Sequence, residues 1–128
     1  MNKTVVATPA APSAIGPYSQ AIRIGDLLFV SGQIPIDPST NKIIDDKSIR
    51  AQAERVLLNL QAIVAAAGGS VENIVKTTVF LKNMNDFAEM NAAYAEFFRT
   101  NPPARSTVEA ARLPRDVSLE IDCIAVLG

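Results

Sequence analysis

The apolar residues between positions 48 and 67 recur every three or four residues, which brings them to one face of a helix. They are Ile49, Ala53, Val56, Leu57, Leu60, Ile63, Val64 and Ala67. Ser48 precedes this stripe and can accept a hydrogen bond from a backbone N–H of the first turn. Gly68-Gly69 follows it and tolerates the left-handed backbone that ends many helices. The pattern predicts an amphipathic helix over Ser48–Ala67.

A second apolar stripe with helical spacing follows Asp86, and its members are Phe87, Met90, Tyr94, Phe97 and Phe98. Asp86 and Glu89, three residues apart, resemble a capping box. Asn101-Pro102-Pro103 ends the stripe, because a residue before proline avoids the helical conformation. We therefore expect a second helix that is capped by Asp86 and stops before the two prolines.

Six further segments have the apolar, β-branched and aromatic residues that favour strands. They are Thr4–Val6, Tyr18–Ile24, Leu27–Gln33, Asn73–Lys82, Ala104–Ala111 and Ser118–Leu127. Gly25-Asp26 is a turn signal between two of them, and Pro35 and Pro38 predict a loop before the first helix. The order β-β-β-α-β-α-β-β predicts an α+β fold, with two helices on one face of a mixed sheet and a single domain over residues 1–128.

The last predicted strand presents two different faces, because side chains alternate along a strand. One face is uniformly apolar and suits contact with the helices; it consists of Leu119, Ile121, Cys123, Ala125 and Leu127. The other begins with Glu120 and Asp122 but continues with Ile124 and Val126, and the predicted strand Asn73–Lys82 adds Phe80. These apolar side chains are either isolated surface residues, which are common, or a face on which copies of the chain associate. Both interpretations stay open at this point.

The charge balance and the missing residue types narrow the chemistry. The 128 residues include 12 Lys and Arg, 13 Asp and Glu, one Cys and no His. Without His there is no imidazole ligand and no Ser-His or Cys-His dyad, and a single Cys closes no intrachain disulfide. A net charge of −1 argues against nucleic-acid binding, which depends on a basic surface. No apolar run approaches the length of a membrane helix. We expect a cytoplasmic protein without metal, membrane or nucleic-acid partner.

Two charged residues in predicted strands, Arg105 and Glu120, are the first candidates for chemistry. A charge within a strand is unfavourable unless it is solvated, paired or functional. We expect the two in neighbouring strands, where a plain cross-strand ion pair or two exposed rim charges would explain them equally. Three uncharged positions also stand out, although each has a structural explanation as a turn, a strand end or a helix surface. They are Tyr18 after the Gly16-Pro17 turn, Gly32 and Asn91.

Several motifs together resemble the Rid family, the reactive-intermediate deaminases, and within it the RidA branch. The motifs are Pro103–Val108, Leu119–Ile121, Ile15–Ala21, Val30–Pro35, Gly68-Gly69 and Met90–Phe98. The resemblance implies a chorismate-mutase-like fold assembled as a homotrimer, with ligand clefts between subunits. It also implies hydrolysis of 2-imino acids such as 2-iminobutanoate and 2-iminopropanoate, which arise from enamines such as 2-aminoacrylate, to 2-oxo acids and ammonia. No cofactor is expected for this reaction.

The resemblance further implies a role for individual residues. Arg105 would bind the substrate carboxylate through its planar fork, and Glu120 would hold and activate the attacking water. Arg105 would also favour the ionised form of Glu120 if the two lie close together. The remaining expected substrate-binding residues are Tyr18, whose ring reaches the cleft, the Gly32 backbone, Thr107, Asn91 in support, and Phe87 as an apolar wall for the alkyl chain.

One position departs from the family pattern, and other functions remain as alternatives. Thr107 stands where many family members have Cys, so a thiol has no role there, while Cys123 is expected in the core. The main alternative is a non-catalytic sensor or binder of small 2-oxo or amino acids that uses the same cleft. Nucleic-acid binding or translation inhibition is a further alternative, which the charge and the aromatic content do not favour. A chaperone role is another alternative, and it stays open.

Overall fold

Eight strands and two α-helices form within residues 2–128, the part of the chain that the computed structural model describes. The helices are α1 (Ile49–Ala66) and α2 (Phe87–Phe97). The strands are β1 (Thr4–Val6), β2 (Ala21–Ile24), β3 (Leu27–Gln33), β4 (Ile36–Asp37), β5 (Lys42–Ile43), β6 (Ile74–Leu81), β7 (Ala104–Glu109) and β8 (Leu119–Val126).

Six strands form one sheet in the order β1-β2-β3-β8-β6-β7, and β4 and β5 form a separate hairpin. β6 and β7 pair in parallel, whereas the other pairings of this sheet are antiparallel. The predicted mixed sheet with two helices on one face is therefore confirmed. β7 and β8 are separated by β6, so the expectation that Arg105 and Glu120 lie in neighbouring strands is wrong. Strand order depends on contacts between distant segments, which local patterns do not contain.

The first helix follows its prediction closely. The Ser48 side chain accepts a hydrogen bond from the Ala51 N–H at 3.1 Å, which confirms the N-cap. Gly68 has a φ of +93°, and the Gly69 N–H donates to the Val64 carbonyl, so the two glycines end the helix as expected. Neither α1 nor α2 is long and apolar enough to cross a bilayer.

The second helix begins differently from its prediction. Asp86 makes no side-chain capping bond, so the expected capping box is wrong. A short 3-10 turn over Met84–Asp86 leads into α2, and the Asn83 side chain caps that turn by accepting from the Asn85 N–H at 2.9 Å. Along α2, Met90, Tyr94 and Phe98 are buried, whereas Phe87 is 38% exposed and leaves the expected stripe incomplete.

Two segments before the first helix also differ from expectation. The sequence predicts a loop where the hairpin of β4 and β5 forms. The hairpin escapes prediction because strands of two residues are too short to show alternation. β2 begins at Ala21 rather than Tyr18. The buried Gln20 side chain before it bonds to the backbone of Thr8 and Pro12, which ties the N-terminal loop to the sheet.

The core lies between the helices and one face of the sheet. The apolar face of β8 is buried there as expected. In β6 the pairing shifts between Ile74 and Lys76, so Ile74 is buried whereas Val75 is 45% exposed.

The opposite, open face of the sheet is covered only in part. A small cluster of Ile34, Ile36, Leu113 and Val117 packs against Phe80. Farther along, Leu27 and Phe29 are each 42% exposed. Val126 is also exposed, and Ile124 is half-buried.

Candidate active site

The two main candidates for chemistry lie on opposite faces of the sheet. Arg105 is paired with Thr77, which is fully buried on the helix side. Glu120 is paired with Phe80, which faces the other way. Directly paired residues share a face of a sheet, so the two side chains of one chain point apart. A cross-strand ion pair between them is therefore excluded.

Arg105 lies against two aromatic rings of α2. Its guanidinium carbon is 4.8 Å from the centre of the Tyr94 ring and 5.5 Å from that of Phe87. No acidic residue within 2–128 forms an ion pair with it. Its planar set of N–H donors is therefore available to a carboxylate from outside the chain.

The surroundings of Arg105 include two polar atoms without partners. Asn91 Oδ1 and Thr107 Oγ1 are both buried, and neither has a hydrogen bond within the described chain. Asn91 and Arg105 line one cavity of about 470 Å³ with Pro102 and Pro103. Thr107 is two residues beyond Arg105 on the same face of β7. Buried polar atoms without partners are uncommon, and here they flank a free guanidinium.

Glu120 lies in a second cavity, of about 340 Å³, on the open face. Its lining includes Tyr18, Gly32, Ile34 and Pro114. Gly32 lies where the pairing of β3 shifts, between Val30 and Gln33, and a Cβ built on it would lie 2.8 Å from Cδ of Glu120 and closer still to Oε2. Only a glycine therefore leaves the carboxyl its present place over the strand.

The electrostatic setting of Glu120 differs from the expected one. Partial burial, and secondarily the charge of Asp122, raise the pKa of Glu120 above its ordinary value. The expected lowering by Arg105 does not operate within one chain, because the two lie on opposite faces. A carboxylate with a raised pKa is a stronger base than an ordinary one.

The predicted site residues therefore form two groups. Arg105, Thr107, Asn91 and Phe87 belong to the helix-facing group, and the Phe87 ring lies on Arg105. Glu120, Gly32 and Tyr18 belong to the open-face group. Tyr18 is 47% exposed, and its hydroxyl accepts a hydrogen bond from the Ile15 N–H at 3.2 Å.

Tyr94 is a site residue that the sequence interpretation missed. Its place in an apolar helical stripe assigned it to the core, and the core does bury it. A tyrosine hydroxyl in such a stripe was the available signal, because a buried phenol needs a partner. That signal does not reveal that β7 lies beside α2, because this arrangement depends on pairing between distant segments.

Comparison with known proteins matches almost the whole chain. The profile of the family described as Endoribonuclease L-PSP matches residues 8–127. A protein of Salmonella typhimurium named 2-iminobutanoate/2-iminopropanoate deaminase is 54% identical over 129 residues, covering 98% of each chain. A RutC family protein of Pyrococcus horikoshii is 54% identical over 123 residues, covering 96% of this chain and 97% of the relative. The chain belongs to the Rid family.

Solved structures agree with the fold of this Rid-family chain. The structure of E. coli TdcF with bound serine superposes with a TM-score of 0.92 at 48% identity, covering 98% of this chain and 99% of the other. Yeast Mmf1 superposes with a TM-score of 0.95 at 46% identity, covering 99% and 100%. The α+β fold, the family and the presence of a deaminase among its close relatives are thus established.

Proposed function

We propose that this chain hydrolyses 2-imino acids such as 2-iminopropanoate and 2-iminobutanoate to 2-oxo acids and ammonia. The observation that carries the proposal is the Arg105 guanidinium, which is supported by aromatic rings and has no acidic partner within residues 2–128. Such a group is suited to bind a small carboxylate with two parallel hydrogen bonds. The name of the Salmonella relative supports the same substrate class.

The proposed cleft lies between copies of the chain in a homotrimer. Arg105 and Glu120 face apart within one chain, so a substrate that meets both must meet them in different copies. The exposed apolar side chains of the open face, including Leu27, Phe29 and Val126, support an association through that face. A copy packed there would bring its Arg105 edge towards the Glu120 cavity of its neighbour.

The proposed reaction needs only water and proton transfer. Arg105 binds the carboxylate, and Glu120 accepts a proton from the water whose oxygen bonds to the imine carbon. Glu120 passes that proton to the imine nitrogen, which gives a neutral tetrahedral carbinolamine and restores the carboxylate. Glu120 next relays the carbinolamine hydroxyl proton to the nitrogen, the C–N bond breaks, and ammonia departs as the C=O bond of the 2-oxo acid forms. Glu120 ends as the carboxylate it was, so no cofactor is required.

The groups around each candidate suit the remaining contacts of the substrate. The unpartnered Thr107 hydroxyl can donate a hydrogen bond to the substrate carboxylate, and the unpartnered Asn91 Oδ1 can accept one from the imine N–H. The Gly32 backbone and the Tyr18 ring border the Glu120 cavity. A short alkyl chain can lie against Phe87, which stays our candidate for an apolar wall.

The proposal is tested by coupling the protein to a threonine dehydratase and following release of the 2-oxo acid. We expect acceleration over the spontaneous rate in buffer, and loss of that acceleration in Arg105→Ala. The variant should keep its fold, because Arg105 makes no ion pair within the described chain. Absence of acceleration, with 2-oxobutanoate still binding at Arg105, would instead support the sensor function.

A further inference from the structure

Tyr94 makes the shortest aromatic contact with Arg105, at 4.8 Å from the guanidinium carbon to the ring centre. It lies in the middle of α2 and is only 5% exposed. A cation over the face of an aromatic ring is attracted by the ring's quadrupole, and the attraction is stronger when the pair is shielded from water. The Tyr94 ring therefore stabilises the position of the guanidinium, in addition to its packing in the core.

The Tyr94 ring is itself fixed at both of its ends. Its hydroxyl is hydrogen bonded to Oγ1 of Thr77 at 2.7 Å, and Thr77 is fully buried. The Phe98 ring packs against it with a centroid distance of 4.7 Å. Thr77 is also the residue of β6 that pairs with Arg105 in β7. Thr77 thus bonds to the Tyr94 hydroxyl through its side chain and pairs with Arg105 in the neighbouring strand.

An aromatic ring and an acidic side chain beside Arg105 would affect its N–H donors differently. An aspartate or glutamate beside Arg105 would occupy its N–H donors and neutralise its charge. The ring contacts only the face of the guanidinium, so the donors and the full charge stay available. Burial of the phenol raises the pKa of Tyr94, so the hydroxyl stays neutral and does not act as an anionic competitor.

We propose that Tyr94 is a positioning residue, which holds the Arg105 guanidinium in the orientation that binds the substrate carboxylate. This inference rests on the proposed role of Arg105 as the carboxylate anchor. Phe87 covers Arg105 from farther away, at 5.5 Å, and is 38% exposed. Phe87 is therefore the weaker of the two contacts, and Tyr94 determines the orientation.

The test measures the dissociation constant of 2-oxobutanoate, together with kcat and KM in the coupled assay, for a matched set of variants. Tyr94→Leu removes the ring face and should weaken binding and raise KM by about tenfold. Its kcat should stay within about twofold, since an anchor acts equally in the ground and transition states. Tyr94→Phe keeps the ring and should restore affinity to within about threefold of wild type. Phe97→Leu makes the same kind of truncation on α2 without contacting Arg105 and should leave affinity unchanged.

Arg105→Ala in the same series separates the two proposals. Retained binding in Arg105→Ala would overturn the proposed role of Arg105 as the carboxylate anchor, and with it the role of Tyr94. Lost binding in Arg105→Ala, with Tyr94→Leu no weaker than Phe97→Leu, would overturn the role of Tyr94 alone. Equal loss in Tyr94→Phe and Tyr94→Leu would also overturn it, because the hydroxyl bond and not the ring face would then be responsible.

Discussion

The two halves of the candidate site are built in different ways, although one sheet supports both. Around Arg105, rings of α2 hold a cation that no acidic residue within 2–128 neutralises. Around Glu120, a glycine leaves room for a carboxyl whose pKa is raised by burial. Free donors suit the binding of a carboxylate, whereas a raised pKa makes a carboxylate a stronger base. In the proposed function, Arg105 therefore belongs to the binding half of the site and Glu120 to the proton-transfer half.

Replacing Glu120 should give the largest difference between an effect on turnover and an effect on ligand binding. Glu120→Gln keeps the shape of the side chain but cannot accept a proton, so we expect turnover to fall by roughly 10²- to 10⁴-fold. Binding of 2-oxobutanoate, measured by calorimetry, should stay within a few-fold of wild type. Unchanged turnover would remove Glu120 as the base and with it the proton-transfer half.

The same variant tests the burial of the carboxyl through stability. Folding raises the pKa of Glu120 above its ordinary value of 4.5, so between the two pKa values the folded state binds more protons than the unfolded state. The contribution of Glu120 to the free energy of unfolding therefore falls as pH rises from the unfolded-state pKa through the folded-state pKa. The free energy of unfolding of Glu120→Gln, relative to wild type, should therefore increase with pH above about 4.5 and then level off. A difference that decreases with pH would show that the fold favours the ionised carboxylate.

A methyl group at Gly32 displaces the carboxylate without removing it. We expect Gly32→Ala to lower kcat by about tenfold, because the added Cβ occupies the place of the Glu120 carboxyl. The long glutamate side chain can rotate away, so the melting temperature should change little. Gly16→Ala is the matched control, since its Cβ would meet the Tyr18 ring only at an ordinary 3.6 Å. Full activity in Gly32→Ala would mean that the carboxyl acts from another position.

The neighbouring charge of Asp122 should give the smallest effect. Burial is the main cause of the raised pKa of Glu120 and Asp122 the second, so Asp122→Asn should lower that pKa modestly. The acid limb of the pH–rate profile should therefore move to lower pH. Asp45→Asn, an exposed change of equal charge, should leave the limb in place. A shift in the opposite direction would contradict the assigned cause.

The features that the sequence predicts correctly are those in which the local hydrophobic pattern agrees with the packing of the folded chain. The 3.6-residue stripe and Ser48 define α1, and the alternation in β8 separates its buried from its open face. The strand order could not be predicted, because the position of β6 between β7 and β8 depends on long-range pairing. For the same reason the placement of Arg105 and Glu120 on opposite faces, and the contact of Tyr94 with Arg105, were not foreseen. The family motifs identified candidate residues but not their grouping within one chain.

The most direct measurement mixes two inactive variants. Arg105→Ala and Glu120→Gln are unfolded together in equal amounts, refolded, and assayed, with mixed oligomers verified by mass spectrometry. If each cleft takes Arg105 from one copy and Glu120 from the next, about a quarter of the clefts in a randomly mixed trimer are intact, and activity should recover to about that fraction of wild type. A verified mixture that stays as inactive as its parents would contradict a cleft shared between copies.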